Sequence, residues 1–449
     1  MGSTRKIVLA ALAVRLALAP FFMHAGDVGT IYESSIMALK GQNFFDFVFQ
    51  RTVQMQQITG LPVFFEGYAY HPLLIYFFVP FYWVYQLIAG PNLVLIDGHY
   101  PALPVLTYPW LPVMLLFLKI PIFIADVGVV YLLARIDPRK AKMYAFCPYV
   151  IFISAIWGMF DAMVAVFLLL SYLSFGKNSF VSGLTYGLSL MKLYTIVLLP
   201  LFVVRLFGKW RELLQFLVGL GITLLPVAYF LIVSRTSVWN VLVTFQGTRI
   251  MGGANLYNFI WIVPDVRFDL AVSAIPNYFL AISLVVLLVR FGRRGPMLEA
   301  ILAFMLAYFL FGRVLNEQFL VSILPLMLLC NECDYRLWVA PFVFIFLRSP
   351  FYYFALPILW ASPIFYQYYL TADQMWLGLQ SAGYLMIPMY AVGVAFSLLL
   401  LLNLQRILEA TPPIDGLDYL RRRFGGVTFL QGKLSGARVL SRRVRILLK

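Results

Sequence analysis

Apolar runs separated by brief polar or basic breaks occupy most of this chain, and the spacing of the breaks predicts helices that cross a membrane. The first run covers 7–23, and later ones fall near 143–157, 162–176, 179–191, 195–207, 212–233, 270–290, 296–312, 318–330, 335–348 and 381–404. A spanning helix needs about 20 mostly apolar residues. The stretch 71–135 holds two or three more spans, so twelve or thirteen are predicted, with a re-entrant segment around 352–368 left open. Several runs are short, which suits helices that line a protein-enclosed cavity. Between 24 and 70 the pattern changes: Tyr32, Ile36 and Leu39, then Phe45, Phe49 and Val53, recur at helical spacing. Amphipathic helices lying on the membrane are expected there. The predicted fold is an all-α polytopic transmembrane bundle over residues 1–404, with 24–70 as its first outer loop and 405–449 as a tail.

Composition excludes a soluble domain, since 62% of residues are hydrophobic and 12% charged. The net charge of +15 is concentrated: residues 405–449 carry ten basic groups against three acids. A cytoplasmic tail drawn to anionic lipid headgroups is expected, with no need for a nucleic-acid partner. Arg5 and Lys6 place the N-terminus inside and Asp27 outside. Basic clusters at 135–142, 177, 205–211 and 290–294 are assigned to the cytoplasm. The segments 157–161, 191–195, 234–269, 312–318 and 348–373 then face outward. The first run has no convincing cleavage pattern after it and is read as a retained anchor, making the chain a multi-pass integral membrane protein, of the plasma membrane in a prokaryote. Cys330 and Cys333 are read as incidental thiols, and no metal or other cofactor is expected.

Gly26-Asp27-Val28-Gly29-Thr30-Ile31-Tyr32, Tyr70-His71-Pro72-Leu73-Leu74, Leu118-Lys119-Ile120-Pro121 leading to Asp126, Ala155-Ile156-Trp157-Gly158-Met159-Phe160-Asp161-Ala162, Leu190-Met191-Lys192-Leu193-Tyr194 and Gly312-Arg313-Val314-Leu315-Asn316-Glu317-Gln318-Phe319 follow one another along the chain. In this order they resemble the GT-C type membrane glycosyltransferases that use lipid-phosphate sugars, in particular the archaeal and bacterial mannosyltransferase-like proteins and the catalytic subunit of GPI mannosyltransferase I. The resemblance covers about residues 20–330 and no more. Two departures stand out: Asp27-Val28-Gly29 replaces the Asp-x-Asp of many relatives, and Met159 replaces a Gln. The resemblance implies an inverting transfer of a sugar, mannose being the expected one, from a polyprenyl or dolichyl phosphate to an acceptor hydroxyl on a glycan, lipid or protein at the outer face, with Asp27 as the base.

Such a transfer needs a base for the acceptor proton and cations for the departing phosphate. Each candidate also has an ordinary reading. Asp27 sits in a turn kept open by glycines, or caps the helix that follows. Arg313 presents a guanidinium fork suited to phosphate, or pairs with Glu317 at i, i+4 on a helix end. Lys192 binds phosphate or snorkels to the interface. Arg249 lies in a Gly-rich loop that folds over substrate or is merely solvated. Asp161 accepts from a sugar hydroxyl or caps a short span. Tyr70 and His71 enter the candidate set from the Tyr-x-Pro-Leu motif, polar packing being the alternative for His71 and for His24. Asp126, within a span, is expected to pair with Lys119. The rival functions are a secondary transporter or lipid-carrier flippase, and a polysaccharide polymerase or ligase.

Overall fold

The first apolar run folds as helix α1 (Gly2–Leu18), and Pro20 converts its continuation into a 3-10 turn, Ala19–Phe21, ending it short of the polar residues that follow. The computed structural model describes residues 2–59, 68–90, 110–245, 252–254, 274–293, 295–348 and 363–411. Helices follow almost without interruption: α2 (Ala25–Leu39), α3 (Phe44–Thr59), α4 (Leu73–Ala89), α5 (Leu111–Ile136), α6 (Pro138–Ala145), α7 (Pro148–Ile151), α8 (Asp161–Ser174), α9 (Ser179–Ser189), α10 (Leu199–Leu206), α11 (Trp210–Val233), α12 (Arg235–Trp239), α13 (Ala274–Phe291), α14 (Met297–Phe311), α15 (Leu324–Leu329), α16 (Val339–Arg348), α17 (Pro363–Ser381) and α18 (Met386–Ala410). The strands described are Gly252–Gly253 (β1) and Val314–Leu315 (β2), paired in parallel.

The α-helical class is therefore established. Among the described residues three helices, α5, α11 and α18, are long and apolar enough to cross a membrane, and they mark this as a membrane protein. Six shorter apolar stretches accompany them, among them α4, α8 and α14. Several expected spans are not continuous α-helices: the runs near 195–207 and 335–348 each begin as a 3-10 turn, Leu193–Leu198 and Tyr335–Trp338, before α10 and α16, and two others are interrupted at proline. The run near 143–157 breaks between α6 and α7, where Phe146 and Cys147 precede Pro148, and the run near 318–330 divides into a 3-10 turn, Phe319–Ser322, and the six-residue α15 with Pro325 in its first turn. In both places proline removes an amide donor and restricts the residue before it, so the chain restarts instead of continuing.

The first outer loop does form helices, but α2 does not simply lie on a surface. Its Val28, Tyr32 and Ile36 face is buried with Tyr82 and Tyr85 of α4 and with Leu111, Met114, Leu115 and Leu118 of α5. α3 docks through Asp46, which accepts hydrogen bonds from Ser234 and Ser237, while Phe44 and Phe45 pack on Phe230 and Tyr68.

Close approach at glycines joins α9 to α11. A Cβ on Gly183 would lie 2.0 Å from the Phe216 carbonyl oxygen, and one on Gly187 would lie 1.9 Å from Thr223 Oγ1. Gly219 approaches the Phe180 carbonyl in return, at 2.3 Å from its notional Cβ. Gly183 and Gly187 are four residues apart on one helix face, the small-x-x-x-small spacing by which membrane helices approach closely.

Asp126 pairs with Arg15 of α1 and not with Lys119. Both side chains of the pair are fully buried, and Arg15 also donates through Nη1 to the carbonyls of Ala11 (3.0 Å) and Ala145 (3.1 Å). Lys119 lies two turns away along α5 and is taken up by backbone carbonyls. Remote basic segments also meet: Arg290 donates to the carbonyls of Leu408 and Thr411, and Arg293 lies 5.9 Å from the centre of the Phe207 ring.

Candidate active site

After the turn at Ala19–Phe21 the chain runs extended through His24, which caps α2: its Nδ1 is 3.1 Å from the amide nitrogen of Asp27. His24 and not Asp27 is thus the cap, and Asp27 stands third in the helix, where an anion is favoured by the unpaired amides and the helix dipole. The Asp27 carboxylate accepts from Trp157 Nε1 at 2.7 Å, and His24 Nδ1 lies 3.0 Å from the same oxygen. With its proton on Nε2, His24 accepts the Asp27 amide; with a proton on Nδ1 it donates to the carboxylate. The His24 ring stacks on the Trp157 indole at 4.8 Å, and the His24 amide donates to the Trp157 carbonyl at 3.0 Å. Asp27 is held on two sides, yet its side chain remains 24% exposed and can be reached.

Trp157 reaches Asp27 because the chain before it is a π-helical turn, Phe152–Trp157, a wider winding often found where function demands it. Gly158 closes that turn with φ +86°, and a Cβ there would come within 2.8 Å of Lys119 Cε and 3.2 Å of Val28 Cγ2. Only glycine meets both demands.

Asp161 opens α8 fully buried, but its side chain leaves the backbone amides. It accepts from Lys192 Nζ at 2.7 Å, with Tyr194 OH 3.4 Å from its other oxygen. The Lys192 ammonium lies over the rings of Phe160 (4.8 Å) and Phe319 (5.0 Å), so it is buried in a cation-π sandwich and does not snorkel. Tyr70 packs edge-on against Phe160 at 4.9 Å. Asp27 and Asp161 are close enough for their charges to act on one another.

Arg313 and Glu317 do not share a helix. α14 ends before Gly312, the next residues form β2, and the i, i+4 pairing is lost with the helix. Glu317 is buried and accepts instead from Arg348 Nη1 at 2.8 Å, while its carbonyl accepts from Tyr149 OH. Arg313 is buried next to β2, and β1 from the Gly-rich loop pairs alongside. Arg249 itself lies outside the described residues, as do 412–449 of the basic tail and most of 352–368. The structure thus gathers Asp27, Asp161, Lys192 and Tyr70 around the segment 157–161, and reaches the 313–319 segment through Phe319.

His71 serves the backbone. Its Nδ1 accepts from the Leu73 amide at 3.2 Å and its carbonyl accepts from Tyr68 OH at 2.6 Å, while Nε2 has no hydrogen-bond partner among the described residues. Burial pushes the imidazole down from 6.5 to about 4. The unfolded chain therefore binds the extra proton between these values, and stability is expected to fall as pH drops from about 6.5 towards 4, by up to about 3 kcal/mol. Unfolding temperatures across that range should show the slope, and His71→Asn, which keeps an acceptor for the Leu73 amide, should flatten it.

His24, Trp157, Lys119 and Arg348 are the members of this neighbourhood that the sequence did not single out as site residues. The spacing of His24 and Asp27, that of a capping box, was the available signal. Among the described residues no cluster of three or more His, Cys, Asp or Glu side chains could hold a metal ion. No protein-family model matches the chain, and no curated protein shows detectable similarity to it.

Proposed function

We propose that this protein is a multi-pass membrane glycosyltransferase of the GT-C type, with twelve or thirteen spans, that moves a sugar from a polyprenyl or dolichyl phosphate to an acceptor hydroxyl at the outer face. The observation that carries the reading is the Asp27 carboxylate, partly exposed, oriented by Trp157 and His24, and near enough to the buried Asp161–Lys192 pair for their charges to interact. A fixed carboxylate at a helix start suits a general base. Asp27 takes the acceptor proton as the acceptor oxygen bonds to the sugar carbon and the bond from that carbon to the phosphate oxygen breaks. Attack from the opposite side inverts the centre. Arg313 is the first candidate for the leaving phosphate, because its guanidinium presents a fork of donors suited to phosphate oxygens; Asp161 and Tyr70 line the approach.

The test is transfer of radiolabelled mannose from purified mannosyl-phosphoryl-polyprenol to a membrane-extract acceptor in detergent. Labelled product and released polyprenyl phosphate are expected. Movement of intact donor between leaflets of proteoliposomes, without cleavage, would replace the enzyme by a carrier, for which the buried Arg15–Asp126 pair would supply a polar interior. Transfer only from a diphosphate-linked oligosaccharide would indicate a polymerase or ligase.

A further inference from the structure

We infer that Lys119 is a positioning residue, whose ammonium locks the end of the first helix to the π-helical turn and so holds Trp157 against Asp27. Lys119 is 1% exposed, and among the described residues no carboxylate pairs with it. The three N–H groups of its Nζ are shared instead among four backbone carbonyls: Ala19 at 3.1 Å and Phe22 from the first segment, Ala155 at 2.8 Å and Ile156 at 3.3 Å from the second. These acceptors are at hand because a terminating helix leaves carbonyls without intrahelical partners. Burying an ammonium is costly, and only such a set of acceptors makes the place tenable.

The four carbonyls are not scattered. Phe22 is two residues before His24, and Ile156 immediately precedes Trp157. The ammonium therefore binds the two chain segments one or two residues before the point where the His24 amide meets the Trp157 carbonyl and Trp157 Nε1 meets Asp27. The lysine stem leaves no slack, since it runs against Gly158 where not even a Cβ fits. Take the ammonium away, and two groups of carbonyls face each other with no donor between them. Their mutual repulsion pushes apart the segments that carry Trp157 and Asp27.

The experiment reads the Trp157 indole directly, by nuclear magnetic resonance of 15N-indole-labelled protein in detergent, with Trp157→Phe assigning the signal. Lys119→Met should move the Trp157 indole resonance to the position it takes in Asp27→Ala. In Lys119→Ala, millimolar methylammonium should bring the resonance back by refilling the carbonyl cage, and sodium chloride at equal ionic strength should not. A folded Lys119→Met with an unmoved Trp157 resonance overturns the inference, as does Lys119→Ala that stays displaced or unfolded with the amine present. The rate arm rests on the transferase reading: kcat should fall about tenfold, as in Trp157→Phe, with KM for the donor within about twofold, and methylammonium should restore it. A wild-type protein without transfer activity but with the resonance pattern described would sink that reading and leave the positioning role intact.

Discussion

Asp27→Asn is expected to lower kcat for sugar transfer by about 10³-fold while leaving KM for the donor within about twofold, the signature of a group used in the transition state and not in ground-state binding. The substitution is mild in every other respect. The side-chain amide it introduces can still accept from Trp157 Nε1 through its oxygen, His24 still caps α2 through the backbone amide, and the helix start loses only the favourable interaction of an anion with its dipole, about 0.3–1 kcal/mol. The folded protein should survive with its proton acceptor gone. Trp157→Phe provides the contrast, because it removes the donor that aims the carboxylate and keeps the carboxylate itself; about a tenfold loss in kcat is expected. Initial rates with labelled donor, at matched amounts of monodisperse protein, separate the two. Equal losses in the two variants would make Asp27 part of the scaffold, and an unaffected Asp27→Asn would remove it as base.

What can be read from the chain and what cannot divides along a physical line. Residues that act through local pattern are legible: the apolar runs announce the helical class, the 3.6-residue recurrence of Tyr32, Ile36 and Leu39 announces α2, and the single carboxylate just past the first run draws attention to Asp27. Partners distant in sequence are not. Asp126 has a lysine on its own helix, yet its partner is Arg15, 111 residues away, because α1 packs along α5 and Lys119 is consumed by carbonyls. Glu317 has Arg313 four residues before it, yet it meets Arg348 because α14 ends at Phe311 and the helical spacing ends with it. The π-helical turn that delivers Trp157 to Asp27 has no composition of its own by which it could be read from the chain. The prolines at 148 and 325 are visible in the sequence, but hydropathy alone does not register that they divide the runs 143–157 and 318–330.

Lys192→Met should destabilise the protein by about 3–5 kcal/mol, since it strands the fully buried Asp161 carboxylate with only the longer Tyr194 contact, and forfeits the cation-π contacts to Phe160 and Phe319. Asp161→Asn should be similarly damaging, leaving the ammonium buried without its counterion. The double variant is the informative one. With both charges gone and side chains of similar volume in place, its midpoint in a thermal or denaturant series should return to within about 1–2 kcal/mol of the wild type, because a buried pair contributes less by its presence than either half costs when left alone. Transfer assays on that restored protein then decide what Lys192 does. If the pair is structural only, with neither Lys192 nor Asp161 meeting substrate, activity returns along with stability. If the ammonium also meets the donor phosphate, the fold returns but KM for the lipid-phosphate sugar stays raised, by about tenfold for one lost charge-assisted hydrogen bond.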